Sequence, residues 1–120
     1  MKSLNKSIGV KGEILAEKFL KNKGYIILEK NFRCKLGEID IIAKDNDYIC
    51  FIEVKSRTSL LFGTPKESVT RTKQNKIIRV ANYFILKNHL EKYNFRFDVV
   101  EVFFDNNNSK ITLIKNAFML

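Results

Sequence analysis

Near the start of the chain, Ile8, Leu15, Ala16, Phe19 and Leu20 recur at helical spacing. Residues three and four apart share a helix face, so the pattern predicts a helix over residues 4–23. Lys6, Lys11, Lys18, Lys21 and Lys23 fill other positions, and Gly24 stands where helices commonly stop. The period then shortens. Residues 25–28 read as a short strand and residues 29–36 as a basic connector. Residues 38–44 and 48–55 read as two apolar strands joined by a polar turn. Residues 56–65 read as a loop, although it contains Leu60, Leu61 and Phe62. Val69, Ile77, Ile78, Ala81, Phe84 and Ile85 predict a second helix over residues 65–88, with Pro65 in its first turn. Residues 95–104 form the clearest strand, an Asn-rich turn follows, and residues 110–115 return as a last strand. The order α-β-β-β-α-β-β predicts an α/β fold: one mixed sheet with helices against it. With no repeat or linker, the chain reads as a single domain, 1–120.

The two central apolar strands carry acid where Val or Ile would be expected. Asp40 interrupts Ile39, Ile41 and Ile42, and Glu53 and Lys55 bracket Val54. Residues two apart on a strand share a face, roughly 6–7 Å apart. A register that brings Asp40 to that face gathers two carboxylates and an ammonium. Two carboxylates with a carbonyl and waters suit a hard divalent cation such as Mg²⁺. A neighbouring lysine can orient or deprotonate a metal-bound water, or steady charge on a phosphate. A Glu and a Lys two apart are also commonly a plain ion pair on a solvent-facing edge. The residues alone leave both readings open.

Charge widens the picture. The net charge is +9 and the pI about 9.6, which favours an anionic partner, most often nucleic acid. An A/T-biased genome would also enrich Lys and Asn without any binding role. Arg33, Arg57, Arg71, Lys73 and Lys76 lie near the acidic strands or open the second helix, where they can contact phosphates or simply face solvent. Glu38 shares a face with Asp40 and is a further candidate ligand. His89 is the only histidine, which removes multi-histidine nuclease sites. Cys34, Cys50 and His89 are unsuitably spaced for zinc. No Walker-type or Gly-x-Gly-x-x-Gly loop is present. Catalysis would rest on carboxylates, lysine and metal. Two cysteines make no disulfide scaffold, and no secretory signal or membrane-length apolar run is present. A cytoplasmic protein with reduced cysteines and no membrane partner is expected.

The pattern Asp40…Glu53-Val54-Lys55 resembles the Asp…Glu-x-Lys signature of the restriction-endonuclease-like PD-(D/E)xK superfamily. More narrowly, the chain resembles the UPF0102 (YraN) family. The pieces are Gly12-Glu13…Ala16, Gly24-Tyr25, Asn31-Phe32-Arg33, Gly37-Glu38-Ile39-Asp40-Ile41-Ile42-Ala43, Phe51-Ile52-Glu53-Val54-Lys55-Ser56-Arg57 and Arg96-Phe97-Asp98-Val99-Val100. Each piece is weak, but their order and spacing are specific. Ile39 stands where the superfamily name has Pro. That family is in turn similar to archaeal Holliday-junction resolvases, which place a Glu on the first helix, the position of Glu13 here.

The resemblance implies a restriction-endonuclease-like fold and a metal-dependent DNA endonuclease acting on branched or otherwise structured DNA. Asp40, Glu53 and Glu13 would hold Mg²⁺ or Mn²⁺, Lys55 would act on the attacking water, and Lys73 matches a family lysine. Junction resolution would further imply a homodimer, for which Leu60, Leu61, Phe62 and the apolar tail at 117–120 are the candidate surfaces. The rival expectations are a catalytically silent nucleic-acid-binding adaptor of the same fold and an RNA- or ribosome-associated factor.

Overall fold

The computed structural model describes residues 2–58 and 69–118. The first helix, α1 (Lys2–Asn22), closes as its sequence predicts. Gly24 adopts a left-handed φ of 95°; its N–H donates to the Lys21 carbonyl, and the Tyr25 N–H donates to the Leu20 carbonyl. This double bond pattern satisfies carbonyls that the helix end leaves open. Leu20 and Tyr25 then pack in the same core cluster, which fixes the chain's exit from the helix.

Three antiparallel neighbour pairs and one parallel crossover build the sheet. Strands β1 (Ile26–Cys34), β2 (Gly37–Asp45) and β3 (Tyr48–Thr58) follow each other antiparallel. Helix α2 (Arg71–Lys87) then carries the chain across to β4 (Asn94–Asp105), which pairs parallel with β3. Strand β5 (Asn108–Phe118) returns antiparallel. The sheet order is β1-β2-β3-β4-β5, so β3 is central. The protein is therefore α/β with a single mixed sheet between two helices, consistent with a restriction-endonuclease-like fold.

Alternation along the central strands feeds two separate cores. Ile49, Phe51, Phe97 and Val99 meet Ile77, Val80, Ala81 and Phe84 of α2. Cys50, Ile52, Val100 and Val102 meet Ala16 and Leu20 of α1. Gly12 sets how closely α1 lies on the sheet. A Cβ there would fall 1.8 Å from Ser56 Oγ and 3.1 Å from Ser56 Cβ, so any larger residue would force Ser56 to move or the helix to lift from β3. That contact brings the next residue, Glu13, toward the strand ends.

Four expectations need correction. The basic connector over 29–36 is mostly strand: β1 runs on to Cys34. Its residues are largely exposed because β1 is an edge, where charged side chains are the usual defence against strand addition. The loop expected from Ser56 begins later, since β3 continues to Thr58. Helix α2 starts at Arg71, not at Pro65, and Thr70 caps it in an extended conformation by accepting from the Lys73 N–H at 3.2 Å. Leu60, Leu61, Phe62 and Pro65 lie outside the described residues. Ala117 and Phe118, offered as a dimer surface, are buried instead; Phe118 stacks on Phe97 with ring centroids 4.9 Å apart. Met119 and Leu120 lie outside the described residues.

A second polar cluster is structural. Asp98 on β4 is fully buried. It accepts from Arg96 Nε at 2.9 Å and from the Asn116 N–H at 2.9 Å. The Asn116 contact bridges the register shift between Phe97 and Val99 in the β4–β5 ladder. Arg96 Nη2 also donates to Tyr25 O–H at 2.6 Å and to Asp45 at 3.0 Å. Burial, and then the Asp98 charge, push the Tyr25 hydroxyl well above the usual phenol range. Among the described residues, no helix is long and apolar enough to cross a membrane.

Candidate functional site

The β2–β3 ladder ends at Ile41 and Ile52. Continuing that register places Asp40 opposite Glu53. Beyond the last pair, the Val54 N–H donates to the Asp40 carboxylate at 2.8 Å, a side chain taking the place of a ladder carbonyl. The alternation of β2 also breaks at this point. Ile39 packs on the α2 side and Ile41 on the α1 side, although they are two residues apart. Opposite Asp40 in β1 sits Asn31, between the paired Lys30 and Phe32, with a left-handed φ of 52°. Asn tolerates that conformation better than most residues. The irregularity is thus built into both strands, and it opens the sheet where the acids meet.

Glu53 points to the α2 side, in line with Phe51 and Ile49, and is 9% exposed. One of its oxygens, Oε2, meets two ammonium groups: Lys73 Nζ at 2.5 Å and Lys55 Nζ at 3.4 Å. Lys55 comes from the same strand two residues on. Lys73 comes from the first turn of α2, where the Thr70 cap fixes the helix start. The two lysines are driven apart. Burial, together with the adjacent Lys73 ammonium, lowers Lys55 from the ordinary lysine value. Burial also opposes charge on Lys73, but its contacts with Glu53 and Lys55 outweigh that and raise it. Lys55 is therefore the lysine that more readily gives up a proton.

Asp40 is pushed up to about 7, first by burial and then by the negative charge of Glu53; the Val54 N–H opposes the rise and Glu13 adds to it. Glu13 is raised as well, mainly by burial, with a hydrogen bond from Asn31 opposing and Glu38 and Glu53 reinforcing. Glu13, Asn31 and Asp40 line one cavity of about 180 Å³, together with Lys30 and Glu17. Asp40, Glu53 and Glu13 repel one another, a repulsion that a bound cation would relieve. Among the described residues, no group of three His, Cys, Asp or Glu side chains forms a ready-made metal cage. The donor set nonetheless fits Mg²⁺ or Mn²⁺, which are commonly held by one or two carboxylates with water and substrate phosphate completing the shell. Asp40, Glu53 and Glu13 are the residues that would hold such an ion.

The raised Asp40 has a consequence for stability. Its carboxyl is proton-loving in the folded protein and ordinary in the unfolded chain, where its value is near 3.8. The stabilisation from holding that proton is complete below pH 4 and is lost as the pH climbs to about 7. Asp40→Asn keeps an acceptor for Val54 but has no proton to lose. The variant is expected to exceed wild type in stability by on the order of 2–4 kcal/mol at pH 8, with the gap closing near pH 4. Urea unfolding at both pH values reads the difference. A variant less stable than wild type at pH 8 would contradict the geometry given for Asp40.

The other candidate residues fall elsewhere. Arg33 forms an exposed cross-strand pair with Glu38 at 3.0 Å. Arg57 meets Glu101 at 2.6 Å, with both side chains mostly buried, so its guanidinium is committed to the neighbouring strand. Arg71 donates to Gln74 on its own helix, and Lys76 is exposed one turn further on. The residue that sequence reading undervalued is Asn31, which fell within the basic connector over residues 29–36. Its signal was the residue type, an Asn able to take a left-handed turn within a strand.

A family model described as "Uncharacterised protein family UPF0102" matches residues 12–102. A UPF0102 protein of Clostridium kluyveri is 55% identical over 122 residues, covering all of both chains. A UPF0102 protein of Clostridium botulinum strain Kyoto is 56% identical over 119 residues, covering 97% of each.

Proposed function

The chain belongs to the UPF0102 family, and from that footing we propose that it is a divalent-metal-dependent endonuclease hydrolysing phosphodiester bonds of DNA. The observation that carries the reading is the meeting of Asp40, Glu53, Lys55 and Lys73 at the parted end of β2 and β3. Asp40 and Glu53 would hold Mg²⁺ or Mn²⁺, assisted by Glu13. The cation would supply Lewis-acid charge to the scissile phosphate and acidify a bound water. Lys55, with its lowered proton affinity, orients the attacking water and takes part in its deprotonation. Lys73 offsets charge that builds on the phosphate oxygens. Branched or structured DNA is the preferred substrate of this reading, and two cuts on a twofold junction would call for a homodimer. Both described cysteines are free thiols, which suits a reducing, cytoplasmic setting.

A second reading, a nucleic-acid-binding adaptor without cleavage, draws on the basic helix α2, which carries no acidic residue. Calorimetric titration with Mn²⁺ separates the two. Wild type is expected to bind the ion, and Asp40→Ala to lose at least about tenfold in affinity, the usual minimum for removing part of a metal site. Absence of Mn²⁺ binding in wild type, with DNA binding intact, would favour the adaptor.

A further inference from the structure

Helix α2 has two unlike faces. Ile77, Val80, Ala81, Phe84 and Ile85 are buried on the sheet. On the outer side Lys76, Arg79, Tyr83 and Lys87 follow each other at steps of three and four, forming one exposed stripe. The helix contains five basic residues and no acidic one. Helix α1 differs, for there Glu17 pairs with Lys21 and Lys30. Among the described residues, Lys76, Arg79 and Lys87 form no ion pair. The stripe starts one turn beyond Lys73, which touches Glu53, and α2 carries it away from the site for roughly 20 Å at helical rise.

An aromatic platform lies along this track. The Tyr83 ring is 42% exposed. It stacks on Phe32 of β1 with centroids 6.3 Å apart, and Lys87 Nζ rests 5.8 Å from its centre. A row of exposed cations beside an accessible aromatic ring matches a polyanion that also presents flat apolar faces. Single-stranded nucleic acid is such a polymer. A continuous duplex hides its base faces in the stack, and an acidic peptide lacks them.

We propose that the outer face of α2 seats an unpaired strand adjoining the scissile phosphodiester, with phosphates on Lys76, Arg79 and Lys87 and a base against Tyr83. The substrate class is then nucleic acid with a single-stranded flank, such as a fork or flap. This deepens the endonuclease reading above at its substrate end, and it can be tested without cleavage.

The test is fluorescence anisotropy in EDTA with labelled single-stranded, forked and blunt duplex DNA over a salt series. Wild type should bind forked and single-stranded DNA at least about tenfold more tightly than duplex. Replacing Lys76, Arg79 and Lys87 together by Gln should weaken that binding and lower the salt slope by about 2, given roughly 0.7 per phosphate contact on single strands. Tyr83→Ala should cost about 5- to 100-fold on single-stranded DNA, the range for one lost base stack, while Tyr83→Phe keeps its affinity. Equal affinity for fork and duplex, or a triple variant with an unchanged salt slope, would overturn the proposal. If the binding pattern holds and no DNA is ever cut, the endonuclease reading fails and the strand-binding face stands.

Discussion

Lys55→Ala is expected to slow metal-dependent DNA cleavage by about 10²–10⁴-fold, the span typical of one proton-transferring or charge-stabilising side chain. Folding should be little affected. The Lys55 ammonium is partly open to solvent, and Lys73 remains on Glu53 Oε2 after Lys55 is removed. Burial lowers the proton affinity of Lys55, so its ammonium gives up a proton more readily than that of Lys73. Arg is not an equivalent replacement, since a guanidinium stays charged and offers a planar fork in place of a point charge. Single-turnover cleavage under saturating Mn²⁺ measures the chemical step, and urea midpoints alongside it show that the variant is folded. A variant cutting within about twofold of wild type would remove Lys55 from the proposed chemistry.

Asp98→Ala should destabilise the fold by about 3–5 kcal/mol, the usual cost of removing one partner from a buried charged network. Asp98 is fully buried and receives both the Arg96 guanidinium and the Asn116 N–H. Its loss leaves Asp45 as the remaining carboxylate partner of the largely buried Arg96 and leaves the β4–β5 register shift without an acceptor. Domains of this kind have only about 5–15 kcal/mol in total, so the loss is severe. Asp98→Asn should be milder, because its amide oxygen can still accept from Asn116. Urea unfolding of both variants measures the difference. The contrast with Asp40 separates the two buried acids. Asp98 holds the fold together, whereas Asp40→Asn is expected to stabilise it at pH 8, as acids placed for chemistry commonly trade stability for function.

The elements with a clear period were legible in the sequence. The α1 stripe and its Gly24 stop, the strands around Asp40 and Glu53, and the element order all came from local spacing. The second half of β1 was not legible, because an edge strand needs no apolar alternation and Glu29, Lys30 and Arg33 read as loop. Val80 is fully buried yet was passed over beside the stronger Ile77 and Ile78 signals. In the candidate site, the Glu53 and Lys55 juxtaposition follows from strand period alone. The place of Asp40 depends on where the ladder ends, and that of Glu13 on the glycine contact at Ser56. Both are tertiary facts that one sequence suggests only through resemblance. Arg57 shows the reverse. Its strand position is as expected, but the parallel β3–β4 pairing gives it Glu101 as a neighbour, which no local pattern shows.

The central claim is that Asp40, Glu53 and Lys55 form a phosphodiester-cleaving metal site. The most direct measurement is cleavage of labelled four-way junction, flap, single-stranded and duplex DNA by wild type, with Mg²⁺ or Mn²⁺ and with chelator. The expected result is cutting of branched or flapped DNA that requires the ion, stops with chelator and is lost in Asp40→Ala. Wild-type protein that binds these DNAs but leaves every one intact in both metals would contradict it.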